Sequence, residues 1–263
     1  MTDTHCHLDV ARAGTDRLGA DEALAAAAAV NVTRIVQIGC DPAGAVWAAE
    51  AAQRYPAVVA GVALHPNETP QLAATGRLDD ALTDIDRIVG STGRVRAVGE
   101  TGLDHFRTAA DGHAIQEQSF RAHIEMARRH GKALVIHDRD AHADILRILD
   151  DVPRPDRVVF HCFSGDVDMA RHCATRGWFV SFAGSVTFAN AAGLRAALAA
   201  TPLDRMLVET DAPYLTPHPY RGRPNGSYLV PLTVRTMAAV LHQDLETMCL
   251  ALQRNTDVAF GSW

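Results

Sequence analysis

The sequence predicts an α/β fold of eight strand–helix units, a (β/α)8 barrel. Three observations predict it. Short β-branched or apolar runs bounded by turn residues alternate with longer amphipathic stretches along all 263 residues, a pattern that indicates βα units and a parallel sheet. The strand ends fall near His7, Gly39, His65, Glu100, His137, His161, Ser181 and Asp211, at intervals of about thirty residues, the length of one βα unit. The first strand ends in His-Cys-His, where a doubly wound open sheet would carry a glycine-rich phosphate loop.

In chain order, the strand-like runs are Met1–His7, Thr33–Ile38, Val58–Leu64, Val95–Val98, Ala133–Ile136, Arg157–Phe160, Trp178–Phe182 and Arg205–Val208. Between them lie Ala-, Leu- and Arg-rich segments with helical spacing, among them Asp21–Val30, Ala43–Arg54, Asp79–Val89 and His113–Arg129. Eight such units in roughly 250 residues match the size of a TIM barrel. No linker or low-complexity tract divides the chain, so residues 1–263 read as a single domain. The longest irregular piece, Pro213–Ser227, follows strand eight, on the face where such barrels keep their chemistry.

Composition narrows the function classes. Hydrophobic residues make up 48% and charged residues 21%, near the average for soluble globular proteins. The apolar stretch Ala23–Val30 is too short for a membrane span and lacks a basic lead-in, so the expectation is a cytoplasmic protein without membrane contact. The five cysteines include no Cys-x-x-Cys pair, which argues against a disulfide framework and a thiolate zinc site. They read as reduced, mostly buried small hydrophobes. A net charge of −6 provides no basic footprint for nucleic acid, although bound metals add positive charge that the formal count omits.

The chemistry concentrates at strand ends. In Thr4-His5-Cys6-His7-Leu8-Asp9 the alternation of a strand turns both imidazoles to one face and Cys6 to the other. His65, Glu100, His137, His161 and Asp211 end strands three, four, five, six and eight. Any one of these is unremarkable at the rim of a core. Burying so many ionisable groups together is costly without a cation, so the set predicts a site for two divalent ions. Glu100, with two carboxylate oxygens, is the natural bridge. One ion would take His5, His7, Glu100 and Asp211, and the other Glu100, His137 and His161. Asp211 is placed to orient or deprotonate the attacking water, which divalent ions make acidic enough to ionise near neutrality. His65 is assigned to substrate, at a phosphate oxygen. Histidines 105, 113, 123, 130, 142, 172, 218 and 242 read mostly as solvated surface groups, with His105 and His218 set apart by their mouth-side loops.

These residues resemble the TatD family of metal-dependent DNases. The matching stretches are Asp3–Asp9, Leu64-His65-Pro66, Gly99–Asp104, Val135–Ala141, His161–Gly165 and Glu209–Leu215. They come in family order and span nearly the whole chain. The resemblance implies a TIM barrel of the amidohydrolase-like superfamily, divalent metals, and hydrolysis of DNA phosphodiesters, often as a 3′–5′ exonuclease; the mixed imidazole and carboxylate ligands themselves admit Mg, Mn or Zn, and Fe as well. By position, His5, His7, Glu100, His137, His161 and Asp211 look like the family's metal ligands, and the reading above makes Asp211 and Glu100 the expected catalytic carboxylates. Two stretches depart from the family pattern. The loop after strand eight reads Arg221-Gly222-Arg223-Pro224-Asn225-Gly226-Ser227 where the family usually has Asn-Glu-Pro, and His105-Phe106-Arg107 follows Gly-Leu-Asp where aromatic residues are common.

The expected partner is DNA, at single-stranded ends, met by a monomer. Arg107, Arg139, Arg221 and Arg223 would contact backbone phosphates, and Phe106, Tyr214 and Tyr220 would stack bases. The rival enzyme class is an amidohydrolase-like esterase or amidase acting on a small molecule or an aminoacyl ester. Many such enzymes bridge their metals with a carboxylated lysine. Lys132, the sole lysine, precedes strand five at the wrong end of the barrel. A non-enzymatic scaffold is the third class, and a complete ligand set argues against it.

Overall fold

A computed structural model describes residues 1–11 and 18–263. Its eight strands form one sheet in the order β1 to β8, and the pairings β1–β2, β3–β4, β4–β5, β5–β6 and β7–β8 are parallel. With helices between the strands, this is the (β/α)8 TIM-barrel fold class. The chain divides into two compact units, one built from Met1–Gln37 with His161–Trp263 and the other from Ile38–Phe160.

In the second unit, α2 (Pro42–Arg54) starts where the Asp41 carboxylate accepts the Gly44 N–H at 2.7 Å, with Pro42 in the first turn. Both features favour initiation there. The buried stripe Ala45, Ala48, Ala49 and Ala52 recurs every three to four residues and packs on β3 (Val58–Val62). Helices α3 (Thr69–Ala74) and α4 (Leu78–Val89) follow, the latter burying Leu78, Ala81, Leu82, Ile85, Ile88 and Val89. β4 (Val95–Asp104) is longer than the apolar run Val95–Val98 implied, because it continues through Gly-Glu-Thr-Gly-Leu-Asp. Its partner β5 (Ala133–Arg139) pairs Val98 with Leu134 but Thr101 with Ile136. The extra residue on β4 is a bulge at Gly99–Glu100, a device that re-aims a side chain. α5 (Ala110–Arg129), α6 (His142–Asp151) and β6 (Val158–Phe160) complete the unit.

The first unit contains β1 (Thr2–Cys6), α1 (Ala20–Ala28) and the start of β2 (Arg34–Gly39). It continues with α7 (Val167–Thr175), β7 (Phe179–Phe182), α8 (Ala192–Ala200), β8 (Met206–Val208), α9 (Val230–Leu241) and α10 (Leu245–Phe260). Aspartates cap α7 and α10, at Asp166 and Asp244. Pro213–Ser227 is irregular, as expected. No helix of the described residues is long and apolar enough to cross a membrane. The five cysteines are free. Cys6 and Cys173 are buried, while Cys40, Cys162 and Cys249 are partly exposed.

One expectation is overturned here. His123 is not a solvated surface histidine but wholly buried, on the α5 stripe that includes Gln116, Ser119, Phe120, Ile124 and Ala127. Its Nδ1 donates to the Ser119 carbonyl at 2.7 Å, and its Nε2 accepts the Leu64 N–H at 3.1 Å. Both ring nitrogens are satisfied, so a neutral imidazole sits there without penalty.

Candidate metal-binding clusters

The first cluster is created by the way β1 ends. Asp3, wholly buried, accepts the Thr210 N–H at 2.9 Å on one oxygen and the Thr210 hydroxyl at 2.6 Å on the other. Burial pushes its carboxyl up to about 6 against these bonds. The Thr4 hydroxyl donates to the Val208 carbonyl at 2.9 Å. Beyond β8 the backbone keeps pairing with β1, Asp211 N–H to the His5 carbonyl at 3.0 Å and His7 N–H to the Ala212 carbonyl at 2.8 Å. Asp211 thereby faces both imidazoles, with its Oδ1 3.8 Å from His5 Nε2 and 3.6 Å from His7 Nε2. Cys6 turns away and packs against the Ser227 hydroxyl, as strand alternation requires.

Those separations are too long for hydrogen bonds. They are close to the roughly 3.4–3.6 Å between neighbouring donors that each lie about 2.1 Å from one tetrahedral ion. The donor set therefore fits a divalent cation. Burial works to raise the Asp211 carboxyl, but the neighbouring imidazoles of His7, His161 and His5 outweigh it and hold it below the usual carboxylate range. Asp211 takes a left-handed φ of 53° and Cys162 one of 43°, and non-glycine residues in this region concentrate at functional sites. His161 stacks on His5 with ring centroids 3.9 Å apart and an interplanar angle of 10°.

The second cluster lies in Ile38–Phe160. Glu100 Oε2 is 3.1 Å from His137 Nδ1, and Cys40 Sγ donates to Glu100 Oε1 at 3.2 Å. His65 Nε2 lies 3.3 Å from His137 Nδ1 and 3.8 Å from Glu100 Oε2. The Asn67 N–H occupies His65 Nδ1 at 3.1 Å, so in the neutral ring Nε2 carries the proton and donates. Asp104 binds His137 Nε2 at 3.3 Å and Asn67 Nδ2 at 3.0 Å through Oδ2, and takes the Phe106 and Arg107 N–H groups on Oδ1. Burial acts to raise its carboxyl, yet the bonds from His137, Arg107 and Asn67 hold it well below the usual range. Gly102 is required here, since its φ is 144° and a Cβ would overlap the His137 carbonyl.

Within each unit the predicted ligands come together: His5, His7, His161 and Asp211 in one, Glu100 and His137, joined by His65, in the other. The predicted substrate arginines sit on aromatic faces, Arg139 over Phe106 at 4.2 Å and Arg221 over Phe188 at 4.0 Å. Arg223 is exposed, and its carbonyl accepts the Thr216 hydroxyl. Lys132 donates to the Val95 carbonyl at 2.6 Å, at the start of β4 and β5, which leaves it no part in a ligand cluster. The loop that departs from the family pattern is tied down by Asn225, whose amide donates to the Thr210 carbonyl at 2.9 Å and to that of Tyr214. Sequence reasoning missed Glu209, which contacts His161, and Asp104, which contacts His137. Both stood within quoted motifs, two residues before Asp211 and four after Glu100.

A (β/α)8 frame with imidazole and carboxylate donors gathered at strand ends defines a metal-dependent hydrolase. The chain belongs to the TatD-related DNase family, whose model matches residues 2–261. It is 41% identical to the Mycobacterium tuberculosis protein named "uncharacterized metal-dependent hydrolase TatD", over 99% of this chain and 98% of that one. It is 36% identical to the Escherichia coli metal-dependent hydrolase YcfH, over 91% of this chain and 88% of the relative. Among solved structures, the Escherichia coli TatD homologue YJJV superposes with a TM-score of 0.89 at 25% identity, covering 100% of this chain and 98% of that one.

Proposed function

We propose that this hydrolase is a deoxyribonuclease that acts as a monomer in the cytoplasm, removing nucleotides 3′ to 5′ from single-stranded DNA ends. In this reading His5, His7, Glu100, His137, His161 and Asp211 hold two divalent ions, with Mg, Mn and Zn as candidates. The observation that carries it is the pair of imidazoles facing Asp211 Oδ1 at 3.6 and 3.8 Å, spaced for a shared cation and not for hydrogen bonds. The contact of Glu100 Oε2 with His137 Nδ1 at 3.1 Å supports a shared ion for this pair. Bound divalent ions supply polarisation of the phosphodiester and a lowered pKa for water.

The side chains do the rest. Asp211, held ionised, takes the proton of the attacking water, and Glu100 keeps the ligand groups in register. His65 Nε2–H donates to a phosphate oxygen. Arg139, Arg221 and Arg223, for which no carboxylate partner exists among the described residues, contact backbone phosphates, a role suited to the planar guanidinium. Exposed Phe106 and Tyr214 stack bases. Purified protein with Mg²⁺ or Mn²⁺ should shorten single-stranded DNA, and His161→Ala should abolish this. Absence of cleavage with every divalent metal would end the proposal. A parallel panel of ester, amide and aminoacyl-ester substrates separates it from the small-molecule class.

A further inference from the structure

Glu209 is wholly buried, and the sequence reading left it without a role. Its backbone N–H donates to the Phe182 carbonyl at 3.1 Å, which fixes it beside the end of β7. Oε1 accepts the Cys162 N–H at 2.7 Å and lies 3.3 Å from His161 Nδ1. Oε2 has no hydrogen-bond partner among the described residues. A buried carboxylate is costly unless donors compensate it, and here the donors are one backbone N–H and the His161 ring. The ring cannot turn freely either, because it stacks flat on His5.

We infer that Glu209 is a positioning residue for His161: it holds the ring proton on Nδ1 and so presents the Nε2 lone pair to a divalent ion. The inference rests on the reading of His161 as a metal ligand. Carboxylates behind ligand histidines act in this way, setting tautomer and orientation and raising ligand basicity.

The test combines ¹⁵N-histidine NMR with Zn²⁺ titration of the full-length protein. In the wild type His161 should show the Nδ1–H tautomer. Glu209→Ala should shift it to Nε2–H and weaken Zn²⁺ binding by about 10–100-fold. Glu209→Gln keeps an acceptor oxygen, so it should retain the tautomer with intermediate affinity. In a His161→Ala background Glu209→Ala should add nothing. An unchanged tautomer in Glu209→Ala overturns the inference. So does an equal loss of affinity in the His161→Ala background, which would make Glu209 a ligand. If Glu209→Ala fails to fold, wild-type Zn²⁺ affinity in Glu209→Gln overturns it. A wild type that takes up no divalent ion sinks the metal reading itself, whereas normal uptake with indifference to Glu209 sinks this inference alone.

Discussion

His123 offers a stability measurement whose sign follows from its surroundings. Desolvation lowers its pKa from 6.5 to about 4, against the bond to the Ser119 carbonyl, which acts to raise it. Above pH 6.5 the ring is neutral in both folded and unfolded chains and contributes no pH dependence. Below 6.5 the unfolded chain binds a proton that the folded chain refuses, so stability is lost as pH falls towards 4. The difference at pH 5 amounts to about 2 kcal/mol. His123→Gln removes the titration while keeping a donor for Ser119 and an acceptor for the Leu64 N–H. Imperfect geometry should cost about 1–2 kcal/mol at pH 7. Urea unfolding followed by circular dichroism, on both proteins at pH 7 and pH 5, reads the two effects apart. The variant should be less stable at pH 7, and at pH 5 the gap should close or reverse. Other titrating histidines are common to both proteins and cancel in the comparison. A gap that stays constant within about 0.5 kcal/mol between the two pH values would show that His123 does not resist protonation, and the reasoning would be wrong.

Gly102→Ala forces a Cβ into the His137 carbonyl at a φ of 144°. It should destabilise by roughly 3 kcal/mol or more in thermal or urea unfolding, and an unchanged midpoint would contradict the close approach of β4 and β5. Phe106→Ala removes the exposed ring over which Arg139 lies. It should raise KM for single-stranded DNA about tenfold, the scale of one lost base stack. Turnover of a phosphodiester without nucleobases should be unaffected, and equal effects on both substrates would refute stacking. Asn225→Ala frees the carbonyls of Thr210 and Tyr214. A stability loss of about 1–3 kcal/mol is expected, with weaker metal uptake measured by titration, because Thr210 adjoins Asp211.

How much of this was legible in the sequence depended on whether the governing contacts were local. Strand and helix positions were readable because period-two and period-3.6 patterns are written within a few residues; the predicted Ala43–Arg54 and the observed Pro42–Arg54 differ by one. The gathering of His5, His7 and Asp211 was readable for another reason. A parallel sheet with every strand followed by a helix brings strand ends to one side, so chain order alone aligns residues two hundred positions apart. His123 was misread because its partner, the Leu64 N–H, is 59 positions away, and no local pattern distinguishes a polar residue bonded inside from one facing water. Glu209 and Asp104 failed differently. They stood in motifs already quoted, but strand alternation says only which face a side chain takes. It cannot say that the carboxylate two residues before Asp211 reaches the imidazole of His161, since that depends on where His161 lies relative to the ends of β7 and β8. The bulge at Gly99–Glu100 is the same kind of fact, a register shift that only pairing with β5 reveals. The gathering of the predicted ligands was thus readable from topology, whereas the carboxylates that contact them depend on inter-strand register, which the linear pattern does not encode.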